Sequence, residues 1–385
     1  MKNRLLSAFV LLAAAIAVAQ QPGSPISGLT ANDLELFRAG REDFLEVESA
    51  DDGLGPMFNG TSCAQCHNIP SIGGTGTIVE TRAGYRDQDG VFHEPPGGSV
   101  MHLFSLPPHD CQISVYDEAN VVAHRISIPL FGAGLVEAIT DETILALADQ
   151  DDKNGDGIRG RAAIVTDAAS GKQRVGRFGW KAQQATLLTF AADAYINEMG
   201  ITNDIFTTEA YKNVSEDKLS STCRPEQKIE DIRNRRTGRR AIDNFEMFLK
   251  FLAPPTRGPV TAAVVRGETL FGQIGCASCH IPQLFTGQNT NASFDRKPVP
   301  LYSDLLLHDV GTGDGIEQAN AKGNEMRTPP LWGLRFRRPL LHDGSAANLN
   351  QAIERHENES APANQKFRAL STSEREDLLL FLKSL

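Results

Sequence analysis

Apolar and polar positions follow four patterns along this chain. Met1-Lys2-Asn3-Arg4 is a short basic start, and Leu5 to Ala19 is an apolar run closed by Ala17-Val18-Ala19. That layout predicts a Sec-type signal peptide at residues 1–19, cut before Gln20 and set aside from the fold. The run has fewer than 18 apolar residues, so it predicts no membrane anchor, and no later run could span a bilayer. A helical period follows. Leu34, Phe37 and Phe44 mark one helix, Phe245, Phe248, Leu249 and Leu252 a second, and Leu378, Leu379, Phe381, Leu382 and Leu385 a third. Residues 76–135 instead alternate, as in Thr77-Ile78-Val79-Glu80 and Val121-Val122-Ala123-His124-Arg125-Ile126, and are rich in glycine and proline. They predict short strands and turns within an otherwise helical protein.

Ala253-Pro254-Pro255-Thr256-Arg257-Gly258-Pro259 cannot continue a helix, because proline lacks the donor and clashes with the preceding turn. The expected architecture is therefore mainly α. An N-terminal module at 20–253 carries long insertions with short β-strands, a linker covers 254–260, and a compact module fills 261–385. A length of 385 residues agrees with more than one domain. The net charge of −10 becomes −12 once Lys2 and Arg4 leave with the signal. An acidic chain is a poor partner for nucleic acid or an anionic lipid surface. The expected location is the periplasm.

The cysteines change the picture most. Four of the six form Cys63-Ala64-Gln65-Cys66-His67 and Cys276-Ala277-Ser278-Cys279-His280. C-x-x-C-H is the attachment signature of c-type haem, with thioethers from both sulfurs and the histidine as axial ligand. A zinc site would draw the two pairs into one tetrahedron and leave both histidines without a task. A thioredoxin-like dithiol would need a βαβ setting that neither motif has. Two covalently attached haems are therefore expected, held by Cys63, Cys66, Cys276 and Cys279 with His67 and His280 on the irons. Cys111 and Cys223 remain, and the default in an oxidising compartment is a structural disulfide. A thiolate ligand or a catalytic thiol is the alternative.

The surroundings of the two motifs also repeat. Gly55-Pro56-Met57-Phe58-Asn59-Gly60 precedes the first and Gly267-Glu268-Thr269-Leu270-Phe271-Gly272 the second. Each follows a helical stretch, and each module closes with another. This is the layout of a short cytochrome c, in which an N-terminal and a C-terminal helix cross beside the haem.

Lesser signals point to further ligands. Asp152-Lys153-Asn154-Gly155-Asp156-Gly157 matches the first half of an EF-hand loop after a helix-like stretch at Asp141–Gln150. The twelfth position is Ala163, so the bidentate glutamate of a calcium site is missing, and an ion-free Asx turn is the alternative. Gly73-Gly74-Thr75-Gly76 and Gly311-Thr312-Gly313-Asp314-Gly315 read as haem-side turns. The basic run around Arg233, Arg235, Arg236, Arg239 and Arg240 suits a solvated face, haem propionates or an anionic partner. His93, His102, His109, His124, His308, His342 and His356 lie outside the motifs. Of the methionines, Met326 stands out as a distal iron ligand because it follows His280 within a proline-rich segment.

Several longer stretches carry a family resemblance. They are the segment from Gly55 to His67, Arg177-Phe178-Gly179-Trp180-Lys181-Ala182, Glu198-Met199-Gly200-Ile201-Thr202 and Ser303-Asp304-Leu305-Leu306-Leu307-His308-Asp309. Arg327-Thr328-Pro329-Pro330-Leu331-Trp332-Gly333-Leu334 and Leu341-His342-Asp343-Gly344 complete them. The chain resembles the di-haem oxidoreductases, also labelled thiol oxidoreductases, relatives of the di-haem cytochrome c peroxidases, from about residue 34 to its end. The resemblance implies an electron-relay haem and a second, N-terminal haem that meets peroxide. It implies Trp180 between them and Glu198 as the acid–base group over the reacting iron. Two departures stand out. The peroxidases' glutamine would fall near Thr189 or Phe190, where this chain has none, and their distal methionine aligns with Glu325, one residue before Met326.

The expected function is a peroxidase-like oxidoreductase that takes electrons from a small redox protein and delivers them to a small oxidant such as hydrogen peroxide. The alternatives are a non-catalytic electron-transfer cytochrome and an enzyme that oxidises a protein partner. Thiol oxidation has no dedicated site in the sequence.

Overall fold

The computed structural model describes residues 21–95, 98–107, 118–208 and 228–385. The signal segment, His109, Cys111 and Cys223 lie outside them. Helices in the first half are α1 (Ala31–Leu45), α2 (Cys63–Cys66), α3 (Ala133–Glu137), α4 (Asp141–Leu145), α5 (Leu187–Met199) and α6 (Ala241–Phe251). The second half has α7 (Ala262–Gln273), α8 (Leu349–Glu354), α9 (Ala361–Ala369) and α10 (Thr372–Ser384). Strands are short: β1 (Met57–Phe58), β2 (Val79–Arg86), β3 (Phe92–His93), β4 (Val100–Met101), β5 (Phe104–Ser105) and β6 (Val121–Ile126) come first. Then follow β7 (Ile164–Thr166), β8 (Gln173–Val175), β9 (Leu284–Phe285), β10 (Pro298–Val299), β11 (Leu307–His308) and β12 (Met326–Arg327).

The three helices read from periodicity form at nearly the expected bounds. Each starts where side chains satisfy free N–H groups. Thr30 accepts from Asp33 N at α1, and Ser371 with Glu374 forms a capping box at α10. Their apolar stripes meet in pairs. α1 packs on α6 through Phe37, Phe44, Phe245 and Phe248, with the Phe44 and Phe248 rings 4.8 Å apart. α7 packs on α10 through Phe271 and Phe381, 5.2 Å apart.

A glycine sits at each crossing. A Cβ on Gly40 would lie 2.1 Å from Asn244 O, and one on Gly267 would lie 2.0 Å from Asp377 O. Small residues let the paired backbones touch, so both crossings use one solution. Gly267→Ala is expected to push α7 off α10 and cost ~1–3 kcal/mol of stability through overpacking. Chemical denaturation of Gly267→Ala beside wild type checks this.

The segment read as alternating forms a sheet in which β2 pairs antiparallel with β3, β4 and β6. Its register sets Glu80 opposite Arg125 and Arg82 opposite Ala123. The helix expected at Asp141–Gln150 stops at Leu145. Past it the backbone tightens, with Leu147 N bonding Ile144 O and Ala148 N bonding Leu145 O. Asp149 N then turns to Gly160 O, while the Asp149 carboxylate accepts from Lys153 N and Asn154 N. Residues 253–261 have no regular structure, as the prolines require. Leu284, Phe294, Val299, Leu301, Leu305 and Leu306 lie beyond this linker, yet they pack in the first core. Among the described residues no helix is long and apolar enough to cross a membrane.

Candidate haem sites

Each C-x-x-C-H segment opens onto a mostly apolar cavity. One, of about 170 Å³, is lined by Cys63, Cys66 and His67. The other, of about 360 Å³, is lined by Cys276, Cys279 and His280. Both histidines hold one ring nitrogen against a backbone carbonyl. His67 Nδ1 is 2.8 Å from Gly74 O, and His280 Nδ1 is 3.0 Å from Tyr302 O. A backbone acceptor at Nδ1 keeps the proton there and leaves Nε2 with a lone pair for a metal. Burial pushes both imidazoles down to about 4, so both are neutral near pH 7. The Gly73–Gly76 turn explains the first arrangement: it supplies the Gly74 carbonyl, and Gly76 lies so near Cys66 that a Cβ would sit 2.3 Å from Cys66 O.

No disulfide joins the four motif cysteines. Burial pushes Cys63, Cys66 and Cys276 up to about 12, the reverse of the lowered value that a redox dithiol needs. Arg337 adds a further sign of a missing anion. It is buried against the larger cavity, its guanidinium lies 5.7 Å from the Trp180 ring centroid, and its Nε has no hydrogen-bond partner. Burial lowers it only to about 10, so it stays a cation. An apolar slot with two thiols, a neutral imidazole and an unmatched guanidinium fits haem, whose carboxylates would meet the cation.

Trp180 lines both cavities. Its Nε1 donates to Ile126 O at 2.9 Å, and its carbonyl accepts from Arg327 N at 2.8 Å. Both ends of the residue are therefore fixed. Glu198, at the end of α5, faces only the smaller cavity. Its Oε2 accepts from Asn59 Nδ2 at 2.8 Å. Burial, then the neighbouring Glu80 charge, push its carboxyl up to about 8, against the pull of Asn59 and Arg82. Asp193 adds a further upward push.

Met326 faces only the larger cavity and packs with Trp180 and Ile126. Glu325, the residue in register with the peroxidase methionine, is committed elsewhere. Its carboxylate accepts from Arg161 Nε at 3.0 Å and Lys322 N at 2.8 Å. Burial alone would raise this carboxyl, but those bonds and the Arg161 charge hold it below its ordinary value.

The other sequence candidates scatter. His308, His342 and His356 line the larger cavity, while His93 and His124 are exposed. His102 is buried with Nε2 2.9 Å from Asn197 O. His308 is held at both nitrogens, by Asp304 Oδ2 at 2.8 Å and Glu359 Oε2 at 2.9 Å. Burial opposes its charge, yet hydrogen bonds to Asp304, Cys279 and Glu359 keep its basicity well above the ordinary value, which leaves no lone pair for iron. Cys279, Asp304 and His308 converge enough to hold a metal ion, but this cysteine belongs to the haem motif.

The Asp152–Gly157 loop spends its oxygens on the backbone: Asp152 Oδ1 accepts from Gly157 N and Asn154 Oδ1 from Asp156 N. No trio of its carboxylates converges, and the loop is built as an Asx turn. The arginine cluster lines neither cavity, and Arg240 pairs with Asp243 and Asp204.

Sequence reasoning missed most polar groups of the smaller cavity, among them Asn59, Glu80, Arg82 and Gln183. Gln183 supplies a glutamine at that cavity although Thr189 and Phe190 do not. Positive φ at Gly179 and Ala182 folds the chain back there, and a Cβ on Gly179 would lie 2.0 Å from Gln183 Oε1.

None of the curated proteins matches this chain. Thirty-nine chains of solved structures are similar. The diheme peroxidase BthA of Burkholderia thailandensis shares 15% identity with a TM-score of 0.44, over 91% of this chain and 86% of its own. A Kuenenia stuttgartiensis hydrazine synthase shares 16% identity with a TM-score of 0.43, over 100% of both chains. A MauG-like protein associated with microbial copper homeostasis shares 15% with a TM-score of 0.33, over 66% of this chain and 89% of its own. The family described as "Di-haem oxidoreductase, putative peroxidase" matches residues 106–385. This chain belongs to the di-haem oxidoreductase family.

Proposed function

We propose that the chain is an exported, periplasmic c-type di-haem peroxidase, which takes electrons from a small redox protein and reduces hydrogen peroxide. The observation that carries this reading is an asymmetry across Trp180. One cavity holds an acid–base carboxyl, Glu198, and the other holds a thioether, Met326. A pair of simple carrier sites would have no use for a buried carboxyl poised near neutrality.

Cys63, Cys66, Cys276 and Cys279 would hold the two porphyrins through thioethers, with His67 and His280 beneath the irons. Bound haem supplies the redox chemistry, carrying electrons inward and reducing the oxidant. The residues supply the rest. Glu198 accepts a proton from one peroxide oxygen and returns it to the other, which suits a group with a value near 8. Asn59 orients that carboxyl. Met326 would serve as a ligand to the iron of the larger site, which would leave only the smaller one to peroxide. Trp180 spans the wall between them.

EPR of the haem-loaded protein, oxidised and then half-reduced, tests the reading. A high-spin ferric signal consumed by peroxide is expected. Two low-spin signals indifferent to peroxide in both states would leave the electron-transfer cytochrome in its place. Trp180→Phe is expected to slow electron passage between the haems while leaving the optical spectrum of each unchanged. Flash reduction of one haem followed by stopped-time spectra measures it.

A further inference from the structure

The smaller cavity contains two buried guanidiniums, and one of them has no task in the scheme above. Arg125 is already committed, donating from Nε to Asp314 Oδ2 and from Nη1 to Gln318 Oε1, both at 2.8 Å. Arg82 is different. It lies on β2, two residues from Glu80, so both side chains share one face of the strand. That face lines the cavity with Glu198. Arg82 pairs with Glu80 through Nε and donates from Nη1 to Ser99 Oγ at 3.0 Å. Strand pairing sets Arg125 opposite Glu80, so Glu80 is flanked by a cation on each side.

The result is a fixed row of alternating charges, Arg82, Glu80, Arg125 and Asp314, beside the Glu198 carboxyl. Arg82 cannot swing away, because a strand, a carboxylate and a hydroxyl hold it. A preorganised donor in a buried site costs no reorganisation when charge develops beside it. The cation also acts on Glu198, whose carboxyl it pulls down against the push of burial and Glu80.

We infer that Arg82 is a catalytic residue, donating an N–H to the departing oxygen as the O–O bond of peroxide breaks; this rests on the peroxidase reading of the cavity. The proton account is simple. Glu198 takes the proton of the near oxygen and passes it to the far one. The electron pair of the O–O bond leaves with the far oxygen, which departs as water. The near oxygen becomes a second water, with two electrons from the reduced donor protein and two protons from solvent. Negative charge builds on the far oxygen before its proton arrives, and that is the moment at which Arg82 acts. Glu80 is a positioning residue that aims the guanidinium.

The test compares haem-loaded wild type, Arg82→Gln, Arg82→Lys and Glu198→Gln, with two haems per chain verified first. Stopped-flow peroxide consumption is one readout, and affinity for azide, followed in the ferric spectrum, is the other. Arg82→Gln is expected to slow consumption by ~10²–10³ with little change in KM. It should also weaken azide by about tenfold or more, as for one lost charge-assisted hydrogen bond. Arg82→Lys keeps the charge and loses the fork, so it should fall between the two in both readouts. If Arg82→Gln matches wild type in rate and azide affinity while Glu198→Gln is inactive, the peroxidase reading stands and the Arg82 assignment is overturned. If wild type itself consumes no peroxide, the reading falls and takes the assignment with it.

Discussion

Glu198→Gln is expected to lower peroxide turnover by ~10²–10⁴, the usual worth of a positioned acid–base group. The amide keeps the shape and the Asn59 contact but cannot carry a proton between two oxygens. The pH profile separates this from a packing defect. In wild type the carboxyl sits near 8, raised first by burial and then by the Glu80 charge, with Asp193 adding to the rise. Arg82 and Asn59 pull the other way. The proton-accepting form therefore grows as pH rises from 6 to 8, and kcat/KM should climb with it and level off above that value. Glu198→Gln should show a low rate without this limb. Stability runs the opposite way. The folded value is raised above the ordinary glutamate value of 4.5, so the protonated folded form is favoured fully below about 4.5. That advantage is lost as pH rises through about 8. Haem-free wild type should lose stability over this window, and Glu198→Gln should lose less. A pH series of kcat/KM beside one of thermal unfolding checks both signs.

The sequence made some features legible and hid others for physical reasons. C-x-x-C-H is a local pattern, so both thiol pairs and both histidines could be placed without any knowledge of the fold. Helices α1, α6 and α10 were legible because their apolar stripes have the helical period, and the irregular stretch at 253–261 because proline excludes a helix. Trp180 and Glu198 came only through resemblance, whereas Met326 was picked out by its place after His280 in a proline-rich segment. The structure sets Trp180 against both cavities and the other two residues on opposite sides of it.

Arg82 and Glu80 were not legible as site residues. They lie more than 100 residues before Glu198 in the chain, and alternation in β2 says which positions share a face but not what that face meets. Gln183 was hidden by its register: a backbone fold at Gly179 and Ala182 carries it to the cavity, and no spacing rule anticipates that. The Asp141–Gln150 stretch misled in another way. Its periodicity is helical, but past Leu145 the backbone tightens, with Leu147 N bonding Ile144 O and Ala148 N bonding Leu145 O, and Asp149 N then turns to Gly160 O. Local hydrogen bonding outweighed pattern there.

Met326→Ala is expected to have the largest effect on the relay side. A one-residue offset from the peroxidase pattern made Glu325 and Met326 rivals in the sequence, and the packing separates them. β12 pairs with β11 so that Met326 stands opposite His308. Glu325 turns to Arg161 and the Lys322 N–H, whereas Met326 packs beside Trp180 in the larger cavity. Three further bonds hold this short strand in place. Lys181 Nζ donates to Glu325 O at 2.7 Å, Arg327 Nε donates to Gly179 O at 2.8 Å, and Arg327 N donates to Trp180 O at 2.8 Å. The thioether therefore cannot withdraw without breaking contacts to the residues on either side of Trp180. Axial ligands set haem potentials over a range of ~0.8 V, and loss of a methionine lowers the potential within that range. Met326→Ala should thus lose the methionine-to-iron charge-transfer band of the C-terminal haem and lower its potential. Its relay to the N-terminal haem should slow, while the ferric spectrum on the Glu198 side stays unchanged. Glu325→Gln should keep the band. Redox titration with near-infrared spectra of both variants decides the point: a band that survives in Met326→Ala and vanishes in Glu325→Gln would assign the iron to Glu325.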